Sequence, residues 1–431
     1  MLPRRLELAG GSGPQLAAVA AEIRALAEHP AGLAESVREI FEAVRGRGDD
    51  AVKELNRRFD GSEGQTGLKV EPGELAAQLD ALDQDVRAGL ELAVANVGRV
   101  ASAELRETVV VDMPEGHRIE LDQFPVGRAG VYVPGGRAAY PSTVVMCCVP
   151  ARAAGVERIA VATPPGPGGR GNAVVLAACA MCGVDEVYLM GGAQAIAALA
   201  CGTESVLQVD VVVGPGNAYV QEAKRQAVGL VGIDGIEGPS EVVIVADEDA
   251  DPHVVALDLG AQAEHGPDSL VALISPSPEL LDAVAAEAKS FRESRPTVSE
   301  APLALVCVPD LRAGVALADA IAPEHLELAC SEAEALARDV RRAGCVFLGH
   351  AGGAAFGDYV AGSNHVLPTG GAARFSGPLG ATTFLRRQAL VSLPESAARA
   401  LAPKLGAVAR AEGYPVHAES AEARLDSGTA G

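Results

Sequence analysis

The stretch Val209-Asp-Val-Val-Val-Gly-Pro-Gly-Asn217 decides the fold. A β-branched run ends in a glycine turn, and Asn217 opens a helical pattern that continues to Ala227. Strand, tight turn and helix N-terminus in that order is half of a parallel βαβ unit, and it is a geometry that receives phosphates. The same pattern recurs upstream. Gly130-Val-Tyr-Val runs into Pro134-Gly-Gly-Arg137, and Glu186-Val-Tyr-Leu-Met runs into Gly191-Gly-Ala-Gln194. Arg158–Thr163 adds a further strand, and 142–154 and 172–182 read as helices between them. A second set of strands follows at 241–246, 269–274, 303–308 and 345–348, with helices at 278–291 and 331–343. Such alternation means parallel sheets with covering helices. The expected class is α/β with two doubly wound, Rossmann-like units, over 126–235 and 236–380, joined by a crossing at 229–239. The fingerprint G-x-G-x-x-G is absent, so an ordinary Rossmann site is not supported; three glycine turns in one unit fit a nucleotide crevice.

The flanks differ in character. Residues 1–125 are expected to be a helical region, partly packed on the second unit; apolar residues recur every three or four positions in Val37-Arg-Glu-Ile-Phe-Glu-Ala-Val44. Residues 351–380 are glycine-rich without a period, and a loop of that length is usually functional. The tail, 381–431, reads as a helix to Ala411, a break at Gly413-Tyr-Pro415 and a short polar end.

Composition narrows the function. The chain has 431 residues and a formal net charge of −22, which argues against a nucleic-acid or anionic-membrane binder. Aromatic residues make up 3% and Trp is absent, so the core must be built from Ala, Val and Leu. No apolar run reaches a membrane span, and Leu6-Glu-Leu-Ala-Gly-Gly does not continue as a signal-peptide core. A cytoplasmic location is expected. The eight cysteines sit mostly in apolar runs such as Met146-Cys-Cys-Val149, as reduced thiols do. Apolar neighbours make Cys147 and Cys148 poor nucleophiles.

Metal-ligand and acid/base residues concentrate in four short segments: Gln262-Ala-Glu-His265, Pro323-Glu-His-Leu-Glu327, Asp358 through His365, and Glu412-Gly-Tyr-Pro-Val-His417. Gln262 and His265 are three apart at the end of an expected helix, hence on one face. Imidazole is a common zinc ligand; an amide oxygen is a rarer one. Glu324-His325 is an acid/base pair at an expected helix-to-strand junction: a histidine can take an alcohol proton and a glutamate can activate water. Asp358 lies in the glycine-rich segment, and His365 is either a supporting residue or loop packing.

Taken together, these segments resemble the histidinol dehydrogenase family from about residue 30 onward. The resemblance is carried by Val131-Tyr-Val-Pro-Gly-Gly-Arg-Ala-Ala-Tyr-Pro-Ser142, Val213-Gly-Pro-Gly-Asn-Ala-Tyr-Val220, Gly238-Pro-Ser-Glu-Val242, Gln262 to His265, Pro323 to Glu327 and Gly357-Asp-Tyr through Asn364-His-Val-Leu-Pro368. It implies an aldehyde-dehydrogenase-like α/β fold and an intertwined homodimer. It implies oxidation of L-histidinol to L-histidine through the aldehyde, with two NAD reduced and one zinc ion (Zn2+) per subunit. The implied zinc ligands are Gln262, His265, Asp358 and His417, the last supplied across the dimer. The implied substrate contacts are Ser240, Gln262, His265, Glu324, His325, Asp358, Glu412 and His417. NAD contacts fall on Tyr132, Gln194 and Asn217. His325 is the implied base for the alcohol and Glu324 for the water. The chain departs from the family at Glu237, where a small residue is usual, at Cys147 and Cys148, and in Ser376-Gly-Pro-Leu-Gly380. The alternatives are a zinc- and NAD-dependent paralogue acting on another polar alcohol, and a cofactor-free zinc hydrolase.

Overall fold

The structure is a computed structural model and describes residues 2–8, 10, 12–27, 32–62, 67–136 and 138–426. Arg137, inside the run 131–142 quoted above, lies outside the described residues, as does Met1. The chain divides into two compact units, one of residues 1–104 and 126–384, the other of 105–125 and 385–431.

The larger unit holds the two expected parallel sheets. The first has five strands in the order Glu186–Leu189, Arg158–Thr163, Arg128–Tyr132, Val211–Val213 and Gly232–Ile233. The second has six, in the order Leu2–Glu7, Pro302–Cys307, Leu270–Ser275, Glu241–Ala246, His325–Ala329 and Cys345–Leu348. All neighbours in both sheets run parallel.

The sequence of the strand Glu241–Ala246 shows why it sits centrally. Val242 and Ile244 point into one core with the helices Pro252–Ala263 and Pro278–Ser294. Val243 and Val245 point into the opposite core with Gly13–Arg24 and Leu311–Ile321. A strand buried on both faces reads as an unbroken apolar run. Burying each such side chain stabilises the fold by about 1.5–3 kcal/mol, so truncating Ile244 to alanine would cost about 2–5 kcal/mol.

The N-terminal region is mostly helical, as expected, at 13–24, 34–60, 72–80 and 84–103. It also contains three strands the periodicity did not show. Leu2–Glu7 extends the six-stranded sheet by pairing with Pro302–Cys307. Val109–Asp112 and Arg118–Pro125 belong to the smaller unit, where Arg118–Pro125 pairs antiparallel with Leu385–Ser392. The expected helix at 331–343 shrinks to Ala333–Leu336 with a 3-10 turn, because the chain must turn into the strand Cys345–Leu348. The tail forms Glu395–Ala411 and then a second helix, Pro415–Asp426, where a polar end was expected; Gly413, at φ +85°, makes the break.

Candidate active site

The two sheets present opposite ends to one cavity of ≈ 580 Å³. From the five-stranded sheet come the turns after the strands Arg128–Tyr132 and Val211–Val213: Tyr132, Gly135, Gly136, Gly216 and Asn217 line the wall. From the six-stranded sheet come residues just ahead of or at strand starts: Ser240, Glu324 and His325. His265, Asp358 and His365 complete the lining. Carboxyl ends of parallel strands are the usual ligand crevice; here the crevice is closed by the amino ends of a second sheet.

The parallel register sets His325 opposite Val242, which places Glu324 beside Glu241. Glu324 is 5% exposed. Its Oε2 accepts from Ser240 Oγ at 2.6 Å and from the Glu241 amide at 2.7 Å. Burial raises the Glu324 carboxyl above its ordinary value, although His325, Ser240 and the Glu241 amide oppose this. His325 Nδ1 lies 3.1 Å from the Glu241 carbonyl oxygen. A carbonyl only accepts, so Nδ1 carries the hydrogen and Nε2 faces Asp358 Oδ1 at 3.5 Å. Burial disfavours the imidazolium, but Glu324 and Asp358 outweigh it and raise His325 to about 9.

Asp358 sits on the short helix Ala354–Tyr359, not in a loop as the glycine-rich sequence suggested; a helix of one and a half turns is too short to show a period. Burial works to raise its carboxyl, but His325, with His365 and His265 nearby, holds it below its ordinary value. His365 Nδ1 donates to the Asp358 carbonyl oxygen at 2.9 Å, and its Nε2 lies 3.4 Å from Thr143 Oγ1. Burial lowers this imidazole below its ordinary value, against the pull of Asp358. Gln262 lies in the last turn of the helix Pro252–Ala263, while His265 falls just past its end, so the two do not share a helical face as their spacing suggested.

Two donors on this wall suit zinc, the His265 imidazole and the Asp358 carboxylate; Gln262 is not among the lining residues. Gln262 is 3% exposed, and its Nε2 is buried with no hydrogen-bond partner. Amide nitrogen and oxygen are assigned by their partners, so turning this amide over places its oxygen at the orphaned position. Among the described residues no three His, Cys, Asp or Glu side chains cluster to hold a metal. A four-ligand shell therefore needs a donor beyond Gln262, His265 and Asp358.

The glycine turns fit a close-approaching ligand. A Cβ on Gly214, at φ +115°, would meet the Tyr132 carbonyl oxygen at 2.2 Å. Asn217 caps the helix Ala218–Ala227, its side chain accepting from the amides of Tyr219 and Val220. Tyr132 OH accepts from the Gly192 amide at 3.0 Å. Gln194 is 1% exposed and does not line the cavity; its Nε2 donates to Asn56 Oδ1 at 3.2 Å.

A brace under the Gly214 turn is invisible to sequence periodicity. Lys224 is fully buried, and its Nζ lies 2.6 Å from Asp234 Oδ1, 2.7 Å from Glu237 Oε2 and 3.1 Å from the Gly214 carbonyl oxygen. Asp234 Oδ2 accepts from the Gly214 amide at 2.7 Å. Glu237, one of the departures noted above, thus pairs with a buried cation. Cys147 and Cys148 are fully buried, and burial pushes both thiols well up.

Glu412 and His417 belong to the smaller unit. There they line an open groove with Leu401, Leu405, Val408 and Tyr414. Val408, Tyr414 and Val416 are exposed on it.

No described helix is long and apolar enough to cross a membrane. A sequence model of the histidinol dehydrogenase family matches residues 24–425. Histidinol dehydrogenase from Synechococcus sp. is 44% identical over 399 residues, covering 91% of this chain and 92% of its own length. That from Pseudomonas fluorescens Pf-5 is 43% identical over 402 residues, covering 91% and 90%. The crystal structure of histidinol dehydrogenase from Elizabethkingia anophelis superposes with a TM-score of 0.89 at 29% identity, covering 99% of this chain and 98% of that one. The chain belongs to the histidinol dehydrogenase family of oxidoreductases.

Proposed function

We propose that this protein oxidises L-histidinol to L-histidine through L-histidinal, reducing two NAD, with one zinc ion per subunit. The observation that carries the reading is the convergence of Ser240, His265, Glu324, His325 and Asp358 on one cavity that also contains the Gly216–Asn217 turn. When bound, NAD supplies a hydride acceptor for each oxidation, and zinc supplies a cation that holds the substrate imidazole and amine.

Gln262, His265 and Asp358 are the proposed ligands from one subunit, of which His265 and Asp358 line the cavity, and His417 of the partner subunit is the proposed fourth. The apolar groove around Glu412 and His417 supports a homodimer in which the tail crosses. Glu412 and Asp358 suit a substrate with a positive amine. Tyr132 and Asn217 face the cavity as cofactor contacts, and Gln194 acts from behind the Gly192 turn.

His325 Nε2 takes the hydroxyl proton as the carbinol carbon gives up its hydride. A base must first lose its own proton, and Asp358, which helps hold that proton on His325, would instead be engaged as a ligand once zinc is bound. Glu324 takes a proton from the water that adds to the aldehyde, and the hydrate then loses the second hydride. Two proton removals from different groups suit two bases. The test is NAD reduction by zinc-loaded protein given L-histidinol or L-histidinal; no reduction with either overturns the proposal.

A further inference from the structure

Glu241 is a charged-type residue at the head of the apolar strand Glu241–Ala246, is 3% exposed and has no part in the steps above. It makes a reciprocal pair with Glu324. The Glu241 amide donates to Glu324 Oε2 at 2.7 Å, and the Glu324 amide donates to Glu241 Oε2 at 3.2 Å. Its other oxygen, Oε1, accepts from the Gly370 amide at 2.8 Å. Its carbonyl oxygen receives His325 Nδ1 at 3.1 Å. One residue therefore touches the main chain of one base, the carboxylate of that base and the ring of the other. Through Gly370 it also ties down the segment that carries Thr369, a residue of the cavity wall.

A carboxylate in such a place costs desolvation, and a well-packed apolar residue would serve a core better. What a valine cannot do is accept at once from the buried Glu324 amide and the part-buried Gly370 amide. Without that acceptor the Glu324 amide is left unpaired in the interior, which drives local rearrangement, and the Gly370 segment loses its tether. The rearrangement falls on the two groups whose geometry the chemistry needs.

We propose that Glu241 is a positioning residue that holds Glu324 and His325 in register for both oxidations. This rests on the proposed function. Because the groups that Glu241 holds are the two proposed bases, its loss falls mainly on kcat, with KM nearly unchanged. A misplacement of about 1 Å costs up to about a hundredfold in rate. Because it holds both bases, it slows alcohol and aldehyde oxidation together.

The test compares Glu241→Ala and Glu241→Gln in zinc-loaded full-length protein, with L-histidinol and L-histidinal assayed separately. The expected result is a fall in kcat of about 10–100-fold for Ala on both substrates, with KM within about threefold. The isosteric Gln, which keeps one acceptor oxygen, recovers part of the loss. An unchanged kcat, a change confined to KM, or a loss on one substrate alone overturns the proposal. If the wild type fails to reduce NAD with either substrate, it is the proposed function that fails. Amide hydrogen exchange in the wild type needs no variant to fold: Glu324 and Gly370 should be protected like strand amides, and rapid exchange at either in the folded protein overturns the clasp.

Discussion

His325 and Asp358 face each other with Nε2 3.5 Å from Oδ1, while the opposite ring nitrogen is committed to the Glu241 carbonyl oxygen at 3.1 Å. The ring is thus fixed by one nitrogen and presents the other to the cavity. Glu324, its neighbour in the chain, is fixed from a different direction by Ser240. Two bases side by side but separately held can serve two different proton transfers.

That separation makes a prediction for each base. His325→Asn should slow oxidation of L-histidinol by about 10²–10⁴-fold. Glu324→Gln should mainly block use of L-histidinal, leaving release of one NADH per alcohol molecule. Steady-state rates with each substrate check this. Equal losses on both substrates for both variants would count against the division of labour.

Lys224→Met should be strongly destabilising. It leaves Asp234 and Glu237 buried without their cation and removes a donor from the Gly214 carbonyl oxygen. Breaking a buried pair by deleting one partner costs about 3–5 kcal/mol. Urea unfolding with an unchanged m-value is the measurement, and a loss below about 1 kcal/mol would show that the brace contributes little. On the proposed function the NAD affinity of the variant should also fall, since the brace holds the proposed cofactor turn.

Glu237 gives a pH signature. Burial raises it from 4.5 to about 7, against the pull of Lys224. Across that window the folded state binds more protons than the unfolded state, so this group's contribution to stability falls as pH rises. Glu237→Gln removes that slope. Relative to wild type, the variant should gain stability as pH rises from 5 to 8. Parallel stability curves for the two proteins over that range would contradict the assignment.

The proposed sharing of a site between subunits is testable by complementation. Gln262→Ala and His417→Ala proteins should each be inactive. After unfolding and refolding together, random pairing restores one intact site in each mixed dimer, or about a quarter of wild-type activity. No recovery, with dimers formed, would mean that the tail serves its own subunit.

How legible all this was in the sequence depended on burial. Val242 to Val245 read as a strand because both faces are covered, and the Gly214–Asn217 turn read as a ligand turn because only glycine tolerates the approach to Tyr132. Val109, Val110 and Val111 gave no usable pattern, since all three are exposed on a short antiparallel ribbon. Lys224 resembled a surface residue of an amphipathic helix; its two carboxylates lie 10 and 13 residues on, across a turn that periodicity cannot see. Gln194 sits in a glycine turn by sequence, yet the helix Gly192–Cys201 begins there and buries its side chain. Glu241 was the clearest missed signal: a lone carboxylate heading a run of five apolar residues needs partners, and its partners are the proposed bases, Glu324 and His325.

The central claim is a four-electron oxidation at one site. The most direct measurement is the NADH formed per molecule of L-histidinol by the zinc-loaded enzyme with NAD in excess, followed to completion by absorbance. Two NADH per histidinol are expected, with histidine as the product. One NADH with accumulated aldehyde, or none at all, would contradict that claim.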